Sequence, residues 1–514
     1  MKENNKTMSI DHDYDLLHGQ SSYSHKSWSK NDWIQTLLFF VVSFVFVTLF
    51  SRSTSFLYVF EGADPAIFKQ MGLALLKGKT LYVDYFDNKG CILYFIQALG
   101  LWLGGDFFIL LMQALSLTVT LVIWDKMLIL YRENQKERIV CLGIALILLL
   151  CFYDGGDMTE EWCLPFASYP LLVYFRALKN KREILPIEML IMGVCFGIIA
   201  FIRINNAAPF LGFVAYMFFV WLLRKDFKSF FKNLIFFLLG TIIIAFGCTL
   251  YFYIKAGWIG VNEMYFAIFF SNFEYIQKTI HRKIFLYLFF FLFLSLCIIQ
   301  QIINSRHEKE VLIPSLISYG LFIIAAGSRC YTHYMMALLP LIVVLMMTNP
   351  PTSEKKRKPI LVALSLVAVF FYLPVPLAFT MNDLILKNDK YTKIYSDFHH
   401  CIEDIPENER DSICNYNLLG HGYGLMMHEG LLQSNRICIS YTMDHMPTLR
   451  EKTSRKVKKP KWILLSWDYY FSNEDAWYII EKYDLYCEFR YDRIYLEKPR
   501  IGQDFQVYIY RRKD

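Results

Sequence analysis

Several charged and polar side chains sit at the edges of this chain's apolar runs, where they could do chemistry at a membrane surface. Asp64 follows the first run and precedes Pro65, with apolar residues at Ile67, Phe68, Met71, Leu73, Ala74, Leu75 and Leu76. That spacing predicts an amphipathic helix with Asp64 as N-cap, Pro65 in its first turn and Gly78 at its end. Asp64 is then either a cap alone or a carboxylate able to take a proton from an acceptor hydroxyl. A second acidic cluster holds Asp154, Asp157, Glu160 and Glu161. It is either solvated loop charge or a set in which a tight Gly155-Gly156 turn aims Asp157 or Glu160 back at the protein.

The cations have two readings as well. Lys89, in the segment Asp87-Asn88-Lys89-Gly90, is placed to pair with a lipid-linked phosphate, or simply to snorkel to headgroups. Arg203, with Asn205 two residues on, lies at the end of another apolar run, where a cation beside a cavity is a functional candidate and snorkelling is the rival. His333 and Tyr334 open a later run, four residues after Arg329. His333 could donate to a phosphate or a sugar, or be structural. Tyr82, Asp87, Asn205 and Tyr334 are candidate substrate contacts.

The elements that must hold these groups are apolar helices. Of 514 residues, 55% are apolar, 17% aromatic and only 19% charged, and mean hydropathy is +0.32. Soluble globules carry about 25% charged residues. A disordered chain, a collagen-like repeat and a small disulfide scaffold are excluded, leaving a polytopic membrane protein. The net charge of +7 fits basic cytoplasmic loops, and nucleic-acid binding is not expected. Eight of the 12 cysteines, Cys91 to Cys330, lie in or near apolar segments and read as small hydrophobes. Cys401, Cys414, Cys438 and Cys487 lie in a polar C-terminal region, where one or two disulfides of unspecified pairing are expected. A polar N-terminal tail, residues 1–32, precedes a first span with no cleavage site, so that span should be retained.

Twelve apolar runs cover 33–57, 91–103, 106–130, 138–153, 162–178, 187–203, 207–223, 233–255, 284–303, 311–326, 334–348 and 359–380. The second is 13 residues long, about 20 Å as a helix against a core of about 30 Å. If it does not span, the loops at 131–138, 179–186, 224–232, 305–310 and around Lys355 to Lys358 share the N-terminal side and hold 16 Lys or Arg. The loops at 154–161 and 204–206 hold none. The positive-inside rule then predicts about eleven transmembrane helices, a cytoplasmic N-terminus and run 91–103 lying in the outer interface. The outer side receives loop 58–105, loop 153–162 and a small C-terminal α/β domain over 383–514. Strand-like runs there are KWILLSW, RIYLEK and FQVYIYRR, beside a helix-like SNEDAWYIIEKYDLY.

In order along residues 33–380, the chain carries D-P-x-x-F from Asp64, then G-x-x-L-Y-x-D-x-F-D-x-K-G ending at Gly90. Next come G-G-D-x-T-E-E-x with L-P-F, I-R-x-N at Arg203 and T-H-Y at His333. This order resembles the bacterial branch of the GT-C membrane glycosyltransferases, which groups with the protein mannosyltransferases and the lipid A aminoarabinose transferases. The resemblance implies a GT-C-like fold over residues 33–380. It implies a sugar donor on a polyprenyl phosphate and transfer outside the membrane to a lipid, glycan or protein. It implies Asp64 as general base, Asp157 or Glu160 as the second acid, and Lys89, Arg203 and His333 as phosphate-binding residues. Cys91 stands where relatives often have Pro, and Pro65 where many have Ser or Glu.

A direct displacement by the activated acceptor would invert the anomeric carbon. Two close carboxylates need a cation between them to stay ionised together, so a divalent ion is allowed but not required. The rival from another class is a transporter or flippase of a lipid-linked saccharide, which predicts charges deep in the spans and an inverted repeat. No clear repeat is seen, and the acids collect in loops. A non-catalytic subunit of a cell-wall assembly is a third reading.

Overall fold

A computed structural model describes residues 29–53, 62–271, 309–326, 331–348, 373, 377, 390–416, 418–434, 460–467, 473–491 and 505–513. The runs at 284–303 and 359–372, Arg329, Cys438 and the basic segment at Lys355 lie outside them, as does the strand expected at RIYLEK. Elements are numbered here in chain order.

The first helix, α1 (Lys30–Phe50), begins at a reciprocal cap. Ser29 Oγ accepts from the Asp32 amide, and the Ser29 amide donates to Asp32 Oδ2 at 3.0 Å. Asp32 also pairs with Lys126 of α4 (Asp106–Ile129), and Asp125 of α4 pairs with Arg138 of α5 (Gln135–Phe152) at 3.1 Å. These ion pairs close one end of the bundle. Trp124 Nε1 donates to Ser168 Oγ of α6 (Thr159–Lys179), locking α4 on α6 inside the apolar core.

Between α1 and α4 lie α2 (Ala63–Leu76) and α3 (Cys91–Gly104). The helix expected after the first run exists, but its N-cap is Gly62 and Asp64 falls in the first turn. The carboxylate is therefore not used up as a cap, though its charge still favours a helix N-terminus. Gly78, at φ 78°, follows the last turn as expected. Helix α3, at 14 residues, reaches about 21 Å, short of a hydrocarbon core.

The bundle continues through α7 (Pro186–Arg203), α8 (Ala208–Leu223) and α9 (Phe227–Tyr265). Helix α9 breaks at Ala256 and at Gly257, whose φ is 60°. Then come α10 (Lys309–Ala326) and α11 (Leu339–Thr348), the latter entered through a tight turn over Thr332–Leu338. Among the described residues five helical stretches are long and apolar enough to cross a membrane: Lys30–Phe50, Asp106–Ile129, Pro186–Leu223, Phe227–Phe270 and Lys309–Ala326.

The C-terminal region is a four-stranded sheet with helices α12 (Lys390–Glu403), α13 (Leu419–His428) and α14 (Asn473–Lys482). Its strands are β1 (Ile413–Asn415), β2 (Trp462–Leu465), β3 (Tyr483–Tyr491) and β4 (Phe505–Arg512), in the order β1-β2-β4-β3. Strand β1 runs parallel to β2, in register Cys414 with Ile463, and the other two pairings are antiparallel. Trp462, Leu464, Val507 and Ile509 pack on Phe398, Ile402 and Met426. One expectation is corrected: the helix-like run ends at Lys482, and Tyr483 to Tyr486 already belong to β3. Aromatic residues at Tyr483, Tyr486, Phe489 and Tyr491 favour a strand, which pairs antiparallel with β4, and the Cys401–Cys487 disulfide ties it to α12. Cys414 is buried.

Candidate active site

The segment from Leu81 to Gly90 is a compact knot of polar contacts that delivers Lys89. Tyr82, at φ 65°, is fully buried and its hydroxyl donates to the Lys89 carbonyl at 2.8 Å. Asp87 accepts from the Asn88 amide at 2.8 Å and from the Tyr94 hydroxyl at 2.6 Å. It faces Lys89 Nζ at 3.6 Å, and that ammonium lies 5.6 Å from the centre of the Phe68 ring. Burial lowers the Lys89 pKa, but the charges of Asp87 and Asp64 outweigh it and raise it above the ordinary value, so the side chain is a cation. The Gly90 amide donates to the Ile202 carbonyl at 2.8 Å, seating the end of this segment on the last turn of α7.

That last turn carries Arg203. Its Nη1 reaches Glu160 Oε1 at 3.1 Å and Thr159 Oγ1 at 3.4 Å, both at the start of α6. Its Nη2 donates to the Tyr334 hydroxyl, and the guanidinium lies 4.3 Å from the Tyr334 ring centre. Next to Tyr334, His333 Nδ1 meets Asp154 Oδ2 at 2.8 Å. Burial lowers the His333 pKa, but the Asp154 hydrogen bond and the charge of Glu160 raise it beyond its usual value. The charge of Asp64, a half-buried residue, acts on Lys89, Arg203 and His333 alike. Asp64, Lys89, Glu160, Arg203, His333 and Tyr334 therefore share one place in the fold.

Four candidates point elsewhere. Asp157 is fully buried and accepts from Gln97 Nε2 at 2.7 Å and Trp162 Nε1 at 2.7 Å. The turn that expectation placed at Gly155-Gly156 is present, with φ 88° and 72°, flanked by left-handed Asp154 and Asp157. It aims Asp157 inward against α3, while Glu160 meets Arg203. Burial raises the Asp157 carboxyl to about 6, against the hydrogen bonds from Trp162 and Gln97 and the charge of Lys69. Asn205 donates to the Ala325 carbonyl of α10 at 2.7 Å, and Tyr82 and Asp87 hold Lys89 from behind.

In the Lys89 and Arg203 pairs the cation is the more open partner, whereas His333, 8% exposed, is less open than Asp154 at 47%. Lys89 is 14% exposed against 3% for Asp87, and Arg203 14% against 1% for Glu160. An approaching anion meets Lys89 and Arg203 before it meets their acids. Among the described residues no group of three or more His, Cys, Asp or Glu is arranged to hold a metal ion. The residues that sequence reasoning missed are Asn88, Tyr94, Gln97 and Trp162, each of which orients a carboxylate. Only the aromatic and amide character of positions facing a charged loop could have hinted at them.

Two solved structures are similar over nearly the whole chain. ArnT from Cupriavidus metallidurans bound to undecaprenyl phosphate gives a TM-score of 0.54 at 11% identity, covering 93% of this chain and 98% of that one. The apo form of ArnT from the same organism gives 0.55 at 12% identity with the same coverage. The fold is thus the one that the resemblance to the GT-C membrane glycosyltransferases implies. No curated protein matches the sequence. Residues 29–372, well over half of the chain, match the model of the putative competence-induced protein Ccs4 N-terminal domain, and the chain belongs to that family.

Proposed function

We propose that this chain is a membrane glycosyltransferase that moves a sugar from a polyprenyl-phosphate donor to an acceptor outside the membrane in one inverting displacement. The observation that carries the reading is the meeting of Lys89, Arg203 and His333 from three separate elements, each backed by a carboxylate, with Asp64 acting on all three. Support for the donor comes from the shared fold with ArnT, which was crystallised with undecaprenyl phosphate.

In the proposed reaction Asp64 takes the proton of the acceptor hydroxyl as its oxygen attacks the anomeric carbon. The bond from that carbon to the phosphate oxygen breaks, and polyprenyl phosphate leaves with the electron pair. Lys89, Arg203 and His333 stabilise the charge that grows on the phosphate. Glu160 holds Arg203 in place and is the second acid of the site in preference to Asp157, which faces away. Arg203 against Glu160 supplies the positive charge that neighbouring carboxylates need, so a divalent ion would be an addition to this scheme.

The proposed placement has about eleven spans, a cytoplasmic N-terminus, α3 in the outer interface and the 383–514 domain outside. Basic residues gathered on the loops of one side support it. Purified protein incubated with a panel of polyprenyl-phosphate sugars and acceptors should release free polyprenyl phosphate with one donor, and Asp64→Asn should not. Movement of the intact lipid-linked saccharide across a bilayer, with no release, would replace the enzyme by the transporter.

A further inference from the structure

Resting on that reading, we infer that residues 430–433 of the C-terminal domain form a clasp that positions Lys89 for the donor phosphate. Gly430, at φ 64°, turns the chain out of α13, and the next three residues are buried. Their side chains alternate between two cores. Leu431 packs with Phe398, Ile413 and Trp462 of the C-terminal sheet, whereas Leu432 packs in the membrane-domain core that holds Tyr85 and Phe86. The Ser434 amide, next in the chain, donates to the Ile413 carbonyl of β1 at 2.8 Å. The segment is thus anchored on a sheet edge at one side and inserted beside the first loop at the other.

Its polar contacts fall on the elements that carry the site. Gln70 of α2 donates through Nε2 to the Leu431 carbonyl at 2.8 Å in a buried contact. Lys77, at the end of α2, donates to the Gly430 carbonyl at 2.9 Å. The Tyr85 hydroxyl donates to the Gln433 carbonyl. Gln433 is itself fully buried, and its Oε1 accepts from the Tyr423 hydroxyl of α13 at 2.6 Å. On its other side Tyr85 accepts, through its carbonyl, from the Tyr82 amide, and the Tyr82 hydroxyl holds the Lys89 carbonyl. Hydrogen bonds joined by single residues of chain therefore link β1 through Gln433, Tyr85 and Tyr82 to the Lys89 backbone.

Hydrogen bonds from the middle and the C-terminal end of α2 and from Tyr85 in the 81–90 segment all meet residues 430–433. They fix the loop against a second domain, so a change in that domain's seating is transmitted to the ammonium. Tyr85 and Gln433 are positioning residues: neither touches the proposed substrate.

The test compares full-length Tyr85→Phe, Gln70→Leu and Lys89→Ala with the parent. It reads amide exchange of residues 80–90, the affinity for undecaprenyl phosphate and the melting temperature. Tyr85→Phe should speed exchange at Tyr82 and Gly90 at least tenfold and weaken undecaprenyl phosphate binding about tenfold, with exchange in α6 unchanged. Added to Lys89→Ala it should weaken binding no further, since its whole effect passes through that side chain. Gln70→Leu should move the same readouts in the same direction. Unchanged exchange over 80–90 in both clasp variants overturns the inference. So does faster exchange with binding lost only in Lys89→Ala, and so does a general loss of protection with a lower melting temperature. If Lys89→Ala itself binds undecaprenyl phosphate as the parent does, the donor reading falls; faster exchange over 80–90 in the clasp variants would then still show the clasp holding the loop.

Discussion

Gly90→Ala is the sharpest way to ask whether Lys89 and Arg203 act as one unit. The backbone at Gly90 has φ −78° and ψ 153°, a conformation open to any residue. Glycine is required here by space alone. A Cβ at this position would lie 1.9 Å from the Phe201 carbonyl oxygen, 2.1 Å from its carbon and 2.7 Å from the Ile202 nitrogen. These are backbone atoms of the helix that carries Arg203, and no side-chain rotation relieves them. Reaching the 3.4 Å of an ordinary contact means moving the two segments apart by about 1.5 Å, which also strains the 2.8 Å bond from the Gly90 amide to the Ile202 carbonyl. Lys89 and Arg203 would separate by a similar amount. Overpacking of this kind costs about 1–3 kcal/mol of stability, so the protein should still insert and fold. A misplacement near 1 Å, however, lowers catalysis by about a hundredfold. Release of polyprenyl phosphate by purified Gly90→Ala should fall by that order, with its binding weakened in parallel. Activity and affinity within twofold of the parent would refute the view that one rigid seam sets both cations.

Three other outcomes follow from the geometry. Asp64→Asn should abolish transfer, by about a thousandfold or more for loss of a general base, while undecaprenyl phosphate binding and thermal melting stay near the parent values; near-normal turnover would remove Asp64 from the reaction. Replacing Cys401 and Cys487 by serine opens a link across 86 residues and should lower the stability of the C-terminal domain by about 4–5 kcal/mol, read as a lower unfolding midpoint that reductant no longer changes. Burial raises Asp157 from 3.8 to about 6, so across that window the folded protein keeps a proton that the unfolded chain has lost. Stability from this group is then greatest below pH 4 and declines up to pH 6, by about 3 kcal/mol in all. Melting should therefore fall by a few degrees between pH 4 and 7, and Asp157→Asn should flatten that slope; an unaltered slope would contradict the burial argument.

The charged ends of the apolar runs were legible because a charge has few places to go in such a chain. Asp64, Lys89, Glu160, Arg203 and His333 each lie at a helix end or in a loop beside one, and they meet because the start of α6, the end of α7 and the turn into α11 come together. The direction in which each side chain points was not legible. Asp157 and Glu160 are three residues apart, yet one faces Gln97 and the other Arg203, because left-handed backbone at Asp154 and Asp157 resets the turn between them. The Asp64 cap failed for a related reason: helix boundaries depend on where the preceding chain enters, and Gly62 takes the cap two residues earlier. The seating of Gln433 on Tyr85 joins positions 348 residues apart, and no local pattern encodes such a contact.

The pairing of every cation with an acid settles a question that the proposed reaction raises. An unpaired lysine or arginine in a recess walled by apolar helices would pay several kcal/mol for lost hydration, or give up its proton in the case of lysine. The Asp87 and Glu160 carboxylates remove that cost before any substrate arrives. They also bind from behind: Asp87 is fixed by Tyr94 and Asn88, and Glu160 takes a bond from Thr159, so neither acid can follow its cation toward the opening. Each guanidinium or ammonium is thus seated beside its acid with its outer face the more exposed of the pair. A leaving phosphate gains charge at that outer face in the transition state, where donors already in position need no reorganisation. Replacing Glu160 by Gln should consequently harm transfer more than binding. The arginine stays against Tyr334 but loses the charged partner that holds it most firmly, and donor binding tolerates that looseness better than the bond-breaking step does.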